Sequence, residues 1–314
     1  MILRIDRRTF LHSILATPAA LAASVADAEK KPKLQLAVKY DMIQIDGPIE
    51  KKFALIQSLG FQGVEMYSPS DIDKDEVVKA RDKTGIVIHG VIDSIHWKEP
   101  LSHPEEKVRA KGLAALKGAL EDAKLYGADT VLLVPGIVNK DVTYKQCWQR
   151  SSAEVRKALP TAEKNNVKIA IEVVWNNFLT TPEQLIEYVD QFQSPYVGAY
   201  FDCSNMLKYG VKSGTWIRKL GKRMLKFDFK GFSLAKYKNK ENPWVPIGEG
   251  DEDWPDILKA LTEIGYNGWA TAEVKGGGRK ELQEIAERMK RVLQQGKKNS
   301  PQSSRRPTEK RPSQ

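Results

Sequence analysis

The sequence predicts a single-domain α/β chain folded as a (β/α)8 TIM barrel, on three observations. Eight short β-rich runs follow one another through residues 29–295, and each leads through a few turn residues into an amphipathic helical stretch. That is the element count a closed barrel requires and an open doubly wound sheet does not. Composition shows no break along this span, which is about the length of one such barrel. Lastly, period-two alternation sends an acidic side chain inward near the C-terminal end of each of the last four runs, the end where barrel enzymes keep their chemistry.

The strands are read in order as LQLAVK (34–39), GVEM (63–66), IVIHGV (86–91), TVLLV (130–134), VKIAIEVV (167–174), VGAYFD (197–202), MLKFDFK (224–230) and GWATAEV (268–274). Helical sequence is plainest after the third, SHPEEKVRAKGLAALKGALEDAKLYG, and after the eighth, GRKELQEIAERMKRVLQQG. In the fifth run Ile169, Ile171, Val173 and Trp175 share one face and Glu172 takes the other. The sixth gives the inward parity to Tyr200 and Asp202. The seventh sends Leu225, Phe227 and Phe229 outward, toward helices, and Lys226, Asp228 and Lys230 inward. The eighth sends Ala270, Ala272 and Val274 to one face and Trp269, Thr271 and Glu273 to the other.

Four acids facing one space, Glu172, Asp202, Asp228 and Glu273, need a counter-charge, because like charges a few ångströms apart raise one another's pKa. A divalent metal is the economical one, and an oxygen-only donor set suits Mn2+ or Mg2+. The competing account pairs each acid with an inward lysine, Lys226, Lys230 or Lys275. Around this centre the reading places Glu65 and Tyr67 at the second strand, His89 on the third, His96 and Trp97 in its loop, and Asn176 and Asn177 after the fifth. Such a mixture of polar and aromatic side chains fits a polyol pocket. GGGR at 276–279 precedes the last helix, where a barrel can hold phosphate or simply turn.

The two ends differ from this body. Arg7-Arg8 followed by Phe10-Leu11, an apolar small-residue run and Ala26-Asp27-Ala28 have the regions of an export signal and resemble the twin-arginine type. Residues 1–28 are therefore expected to be removed and the protein to be periplasmic, with no stable membrane anchor, since the run is short and broken by Pro18. Residues 296–314 hold six Lys/Arg and one Glu, a basic tail with nothing to bury. The chain's net charge is +10; the tail holds +5 of it and the leader +1, which leaves +4 on the body. This supports solubility and argues against nucleic acid as a partner. Cys147 and Cys203, the only cysteines, are expected to be free; two thiols make no disulfide framework.

The Glu of IAIEVVWNN, the FDCSN after strand six, KFDFKG, IGEGDEDWPDILKALTEIGYNGW and the final ATAEV resemble the xylose isomerase-like sugar isomerase and epimerase superfamily, the AP endonuclease 2-type barrels, across essentially all of residues 33–293. The resemblance implies that Glu172, Asp202 and Glu273 hold one divalent metal and that the two glutamates exchange protons with the substrate. Asp228 stands where the family usually has His, which makes the shell all carboxylate. Asn205 stands where many members have a substrate-touching His, and Lys230 is expected beside it at the substrate. The function implied is isomerisation or epimerisation of a ketose or keto-glycoside through an enediolate. The alternatives are a lyase that eliminates the aglycone from 3-keto-glycosides and a non-catalytic exported sugar-binding protein. Superfamily nucleases assemble three zinc ions with several histidines, and a body with only His89, His96 and His103 does not fit them. A homo-oligomer is compatible with the sequence.

Overall fold

A computed structural model describes residues 32–295. The proposed leader, residues 1–28, and the basic tail, residues 296–314, lie outside the described residues. Eight parallel strands close into one barrel in sequential order: β1 Gln35–Lys39, β2 Gly63–Ser68, β3 Val87–Asp93, β4 Thr130–Leu133, β5 Lys168–Glu172, β6 Val197–Asp202, β7 Met224–Phe229 and β8 Trp269–Ala272. β1 pairs with both β2 and β8, which closes the circle.

The outer ring consists of α1 Ile49–Ser58, α2 Lys74–Thr84, α3 Glu106–Tyr126, α4 Tyr144–Asn165, α5 Pro182–Asp190, α6 Ser213–Leu220, the short α7 Leu234–Lys238, α8 Trp254–Glu263 and α9 Arg279–Gln295. Local chemistry sets their limits. Asp73 accepts hydrogen bonds from the Asp75 and Glu76 amides and starts α2, and Thr143 with Gln146 forms a capping box at α4, each satisfying amides a helix start leaves free. α3 stops at Gly127, whose φ of 76° lies in the left-handed region that ends helices. On α9 Leu282, Ile285, Ala286, Met289 and Val292 are buried, the three-and-four spacing of one helical face.

The main apolar core lies between the strands' outward face and this ring, and holds Ile169, Ile171, Val173, Phe201, Phe227, Phe229, Ala270 and Ala272. A small second cluster, Ile92, Leu132, Ala170 and Tyr200, fills the barrel axis with Tyr67 and Leu225 against it. Leu225 corrects the outward assignment from its alternation. The β6–β7 register shifts at Ala199/Tyr200, and this bulge turns Leu225 toward the axis beside Gly198, where a Cβ would meet it at 2.5 Å. β2 and β3 each run two residues past their predicted ends, while β5 stops at Glu172, two residues early. Both cysteines are free and buried. Among the described residues no helix is long and apolar enough to cross a membrane.

Candidate metal centre

Each of the four acids comes from the C-terminal end of its own strand. Glu172 and Asp202 are the last residues of β5 and β6, Asp228 is the penultimate residue of β7, and Glu273 follows β8 directly. One ligand atom from each lies within 4.8 Å of all the others. Oxygens on opposite sides of a hard divalent cation stand about 4–5 Å apart, twice the metal–oxygen distance, so the spread fits one ion. Asp202 Oδ2, Asp228 Oδ2 and Glu273 Oε2 are buried and accept no hydrogen bond of ordinary geometry; each instead faces a lysine ammonium, at 3.4, 3.1 and 3.0 Å. Asp202 Oδ1 is already used, accepting from the Ser204 and Asn205 amides at 2.6 and 2.8 Å.

Two lysines enter the cluster. Lys230 Nζ lies 3.4 Å from Asp202 and 3.2 Å from Glu273. Lys39, the last residue of β1, lies 3.1 Å from Asp228 and 3.0 Å from Glu273. Lys39 thus ties Asp228 to Glu273, one ammonium between two buried carboxylates. Four carboxylates against two ammonium groups leave a formal charge of −2, which one divalent cation would balance. Burial opposes the charge on Lys39, but Asp228, Glu273, Glu172 and Glu65 outweigh it and raise its pKa. Burial, then the neighbouring Glu273, raise Glu172 to about 8. Burial acts upward on Glu273 too, but Lys39 and Lys230 overcome it and hold that carboxyl well below the usual range.

The lysine account is thus half met. Lys230 does join the acids, Lys226 instead pairs with Asp129 at 2.8 Å near the opposite end of the barrel, and Lys275 makes no ion pair among the described residues. Lys39 escaped the sequence reading, although the alternation of Ala37 and Lys39 about Val38 puts it inward.

A cleft of about 400 Å3 opens over the cluster. Of the substrate residues read from sequence, His96, Trp97, Asn205, Lys230 and Tyr67 line it. His96 is neutral: burial lowers it to about 3, and its Nδ1 accepts from the Val134 amide at 3.3 Å. Asn205 receives a hydrogen bond from Lys230 at 3.2 Å and points its amide at Glu172, 3.5 Å away.

Glu65 and His89 are corrections. Because β2 and β3 are longer than predicted, both side chains lie below the cluster and off the cleft wall. Tyr200 Oη is 3.0 Å from Glu65 Oε2 and 2.7 Å from Asp228 Oδ1. One hydroxyl proton serves one acceptor. Burial raises the pKa of both Glu65 and Asp228, so a proton on either carboxyl satisfies the trio, that carboxyl donating to Tyr200 and Tyr200 donating to the other. His89 stacks on Trp269 at 4.6 Å and has Nε2 3.3 Å from Thr271 Oγ1. Burial, Lys226 and Lys39 keep it neutral, so its 3.9 Å approach to Glu65 is not an ion pair. The packing needs Gly63, where a Cβ would meet the Trp269 ring at 2.4 Å.

Asn177 is also corrected: it sits exposed in a left-handed turn, φ 57°, away from the cleft. Asn176 is a buried loop brace that donates to Gly136 O at 2.7 Å. GGGR forms a turn: the Gly277 amide donates to Met42 O at 3.0 Å and is committed there.

Sequence reading missed Asp93, Trp175 and Trp244, all on the cleft wall. Asp93 ends β3 beyond the predicted run, and burial raises it to about 7 against a hydrogen bond from the Ile95 amide. Trp175 leaves the face assigned to it because β5 ends at Glu172; its Nε1 donates to Asn205 O at 2.6 Å, and its ring stacks on Trp244 at 4.8 Å.

Comparison with known proteins gives the fold a setting. The chain is 22% identical over 229 residues to L-ribulose-5-phosphate 3-epimerase UlaE of Escherichia coli O1:K1 / APEC, covering 69% of this chain and 79% of the relative. Among solved structures, the IOLI protein with a bound zinc atom superposes with a TM-score of 0.70 at 18% identity, covering 83% of this chain and 99% of that one. The 3-keto-D-glucoside 4-epimerase YcjR from E. coli gives 0.67 at 15%, covering 83% and 99%. The family model described as a xylose isomerase-like TIM barrel matches residues 53–295, and with the closed eight-stranded barrel already traced, the chain belongs to that family.

Proposed function

We propose that this protein is a divalent-metal-dependent sugar isomerase or epimerase, with Mn2+ or Mg2+ as the metal, that moves a proton on a carbon next to a carbonyl. The observation that carries the reading is the convergence of Glu172, Asp202, Asp228 and Glu273, one ligand atom from each within 4.8 Å of the others, on a site where four carboxylates meet only two lysines. A non-catalytic binding protein with a decayed site would be expected to have lost at least one of them. The relatives support the reaction class, since the similar proteins named above include sugar epimerases.

A bound divalent cation supplies Lewis-acid polarisation of the substrate carbonyl and adjacent hydroxyl, which acidifies the C–H between them. The residues do the rest. Glu273 is the most exposed of the four acids, its side chain 31% accessible, and Lys39 and Lys230 keep it ionised, so it is the base that takes the proton. Glu172 reaches the same space from β5, three strands away around the barrel, and can return a proton from another side. Return to the same carbon inverts it, and return to the neighbouring carbon isomerises. Lys230 and Asn205 border the cleft as hydrogen-bond partners for hydroxyls.

Glu273→Gln tests this, because it keeps the size and one oxygen donor and removes the basicity. Solvent-deuterium incorporation into candidate ketoses at saturating Mn2+ should slow by about 10²-fold or more, while Mn2+ binding falls less because three carboxylates remain. Exchange at the wild-type rate would remove Glu273 from proton transfer.

We also place the mature protein in the periplasm, on the strength of Arg7-Arg8 and Ala26-Asp27-Ala28. Replacing both arginines with lysine should leave full-length precursor in the cytoplasm on fractionation. Normal maturation of that variant would exclude the twin-arginine route.

A further inference from the structure

The acid cluster occupies one half of the barrel mouth, the ends of β5 to β8, and the cleft runs from it to the opposite half, the ends of β2 to β4. There Asp93, the last residue of β3, and His96 in the loop that follows line the same cavity. Asp93 is 1% exposed, yet among the described residues no side chain pairs with it. Its carboxyl receives one hydrogen bond, from the Ile95 amide at 3.2 Å. A carboxylate can accept at about four sites, so most of its capacity stays open. Ile92 and Leu132 line the cleft on this side and offer it nothing polar. Burying a carboxyl with neither a cation nor a full set of donors costs stability, and the turn at Ile95 uses only a part of what Asp93 can do.

His96 is its complement. The His96 amide donates to Asp93 O at 3.5 Å, which keeps the two residues in one turn. Because His96 Nδ1 accepts from the Val134 amide, the neutral ring carries its proton on Nε2, a donor with no acceptor among the described residues. This wall thus presents one fixed donor and one open acceptor. A hydroxyl answers both, accepting from His96 and donating to Asp93. The two lysines of the cleft, Lys39 and Lys230, are held on the far side by the acid cluster, so no cation stands here to receive an anion. A phosphate would give up water beside Asp93 and gain no counter-charge. A methyl group would leave Asp93 and His96 both unpaired, the condition under which a site built for a hydroxyl rejects its deoxy analogue.

We propose that Asp93 and His96 are specificity-determining residues that hold a free hydroxyl at the end of a ketose chain remote from its carbonyl and reject a phosphate or a methyl group there. This rests on the proton-transfer reading, which places the carbonyl end at the acid cluster, and adds a second anchoring point across the barrel mouth.

The test uses Mn2+-loaded protein at about pH 8, where a sugar phosphate is a dianion, and titration calorimetry with the full stereoisomer set of 2-ketohexoses, each beside its 6-deoxy and 6-phosphate counterparts. At least one ketohexose should bind, about ten-fold or more tightly than either counterpart. Asp93→Asn keeps an acceptor for the Ile95 amide and drops the charge, so discrimination against the 6-phosphate should shrink by about ten-fold. Asp93→Leu should remove the discrimination against the 6-deoxy sugar. Should the leucine variant fail to fold, the asparagine variant still decides. Binding of no ketohexose, affinity for a 6-deoxy or 6-phosphate sugar equal to or above that for its parent, or discrimination against the 6-phosphate that Asp93→Asn leaves unchanged would each overturn the inference, as would discrimination against the 6-deoxy sugar in a folded Asp93→Leu variant. Deuterium exchange into the same ketohexoses, measured on the wild type, reports separately on proton transfer. Exchange without these preferences sinks only the assignment of Asp93 and His96, and the preferences without exchange sink only the proton-transfer reading.

Discussion

Two buried polar layers lie one above the other along the barrel axis, and alternation alone does not distinguish them. The lower contains Glu65, Tyr200, Thr271, His89 and Lys226, with Asp129 at its foot. The upper contains Glu172, Asp202, Asp228 and Glu273 with Lys39 and Lys230. Tyr200 joins the two through its 2.7 Å bond to Asp228. The lower layer is balanced in charge: Lys226 answers Asp129, and His89 is neutral. Its one mismatch is Glu65 Oε1 against His89 Nδ1. The upper layer sets four carboxyl groups against two ammonium groups and opens to a cleft. Inward polarity therefore marks a barrel interior in general, and an unbalanced donor set beside a cleft marks the place for chemistry.

The largest effect should come from removing a counter-charge in the upper layer. Lys39→Met leaves Asp228 and Glu273 short of a cation in a buried site, and breaking a buried pair on one side costs about 3–5 kcal/mol. Urea unfolding in EDTA should show that loss, and saturating Mn2+ should recover most of it by taking over the neutralisation. A variant as stable as wild type in EDTA, or one that Mn2+ does not rescue, would break the account of the upper layer as charge-unbalanced.

An intermediate effect belongs to the link between the layers. Tyr200→Phe deletes the hydroxyl shared by Glu65 and Asp228, leaving buried carboxyl oxygens unpaired at a cost of about 1–3 kcal/mol. Tyr200 also orients Asp228, and losing such an outer partner weakens metal binding by about 10–100-fold. Unfolding and Mn2+ titration of the same preparation give both quantities. A stability loss with unchanged Mn2+ affinity would show that Asp228 is not held in place through Tyr200.

The fold was legible because eight alternating runs survive small errors in their ends, but the site was sensitive to those errors. Ending β2 and β3 two residues early brought Glu65 and His89 up to the cleft, when in fact they lie in the lower layer, and left Asp93 unread. The four acids were found because each sits at or beside a strand end, where alternation still holds. Lys39 follows the same rule at the end of the first strand, where the alternation of LQLAVK sends it inward. Leu225 and Trp175 were misplaced by a bulge and an early strand end, two features with no periodic signal. Trp244 meets Trp175 across 69 positions of chain, in a long connection whose path only the folded barrel fixes.

The smallest effect should come from the lower layer's own cation. Lys226 is as buried as Lys39, with its ammonium 2.8 Å from Asp129 Oδ1 and 3.0 Å from His89 O. Its partner differs: the Asp129 side chain is 70% exposed, so water takes over when the lysine is removed, and no carboxylate is stranded. Burial already lowers the Lys226 pKa, a sign that the charge is held at some cost. Lys226→Met keeps the stem's packing and drops the charge, an exchange that is often neutral or stabilising for buried ions. The loss is one donor to the His89 carbonyl, to which Thr130 Oγ1 also comes within 3.5 Å. Unfolding free energy should stay within about 1 kcal/mol of wild type, and Mn2+ affinity should not change. A loss as large as that of Lys39→Met would mean that the two layers share one charge balance, and the distinction between them would fail.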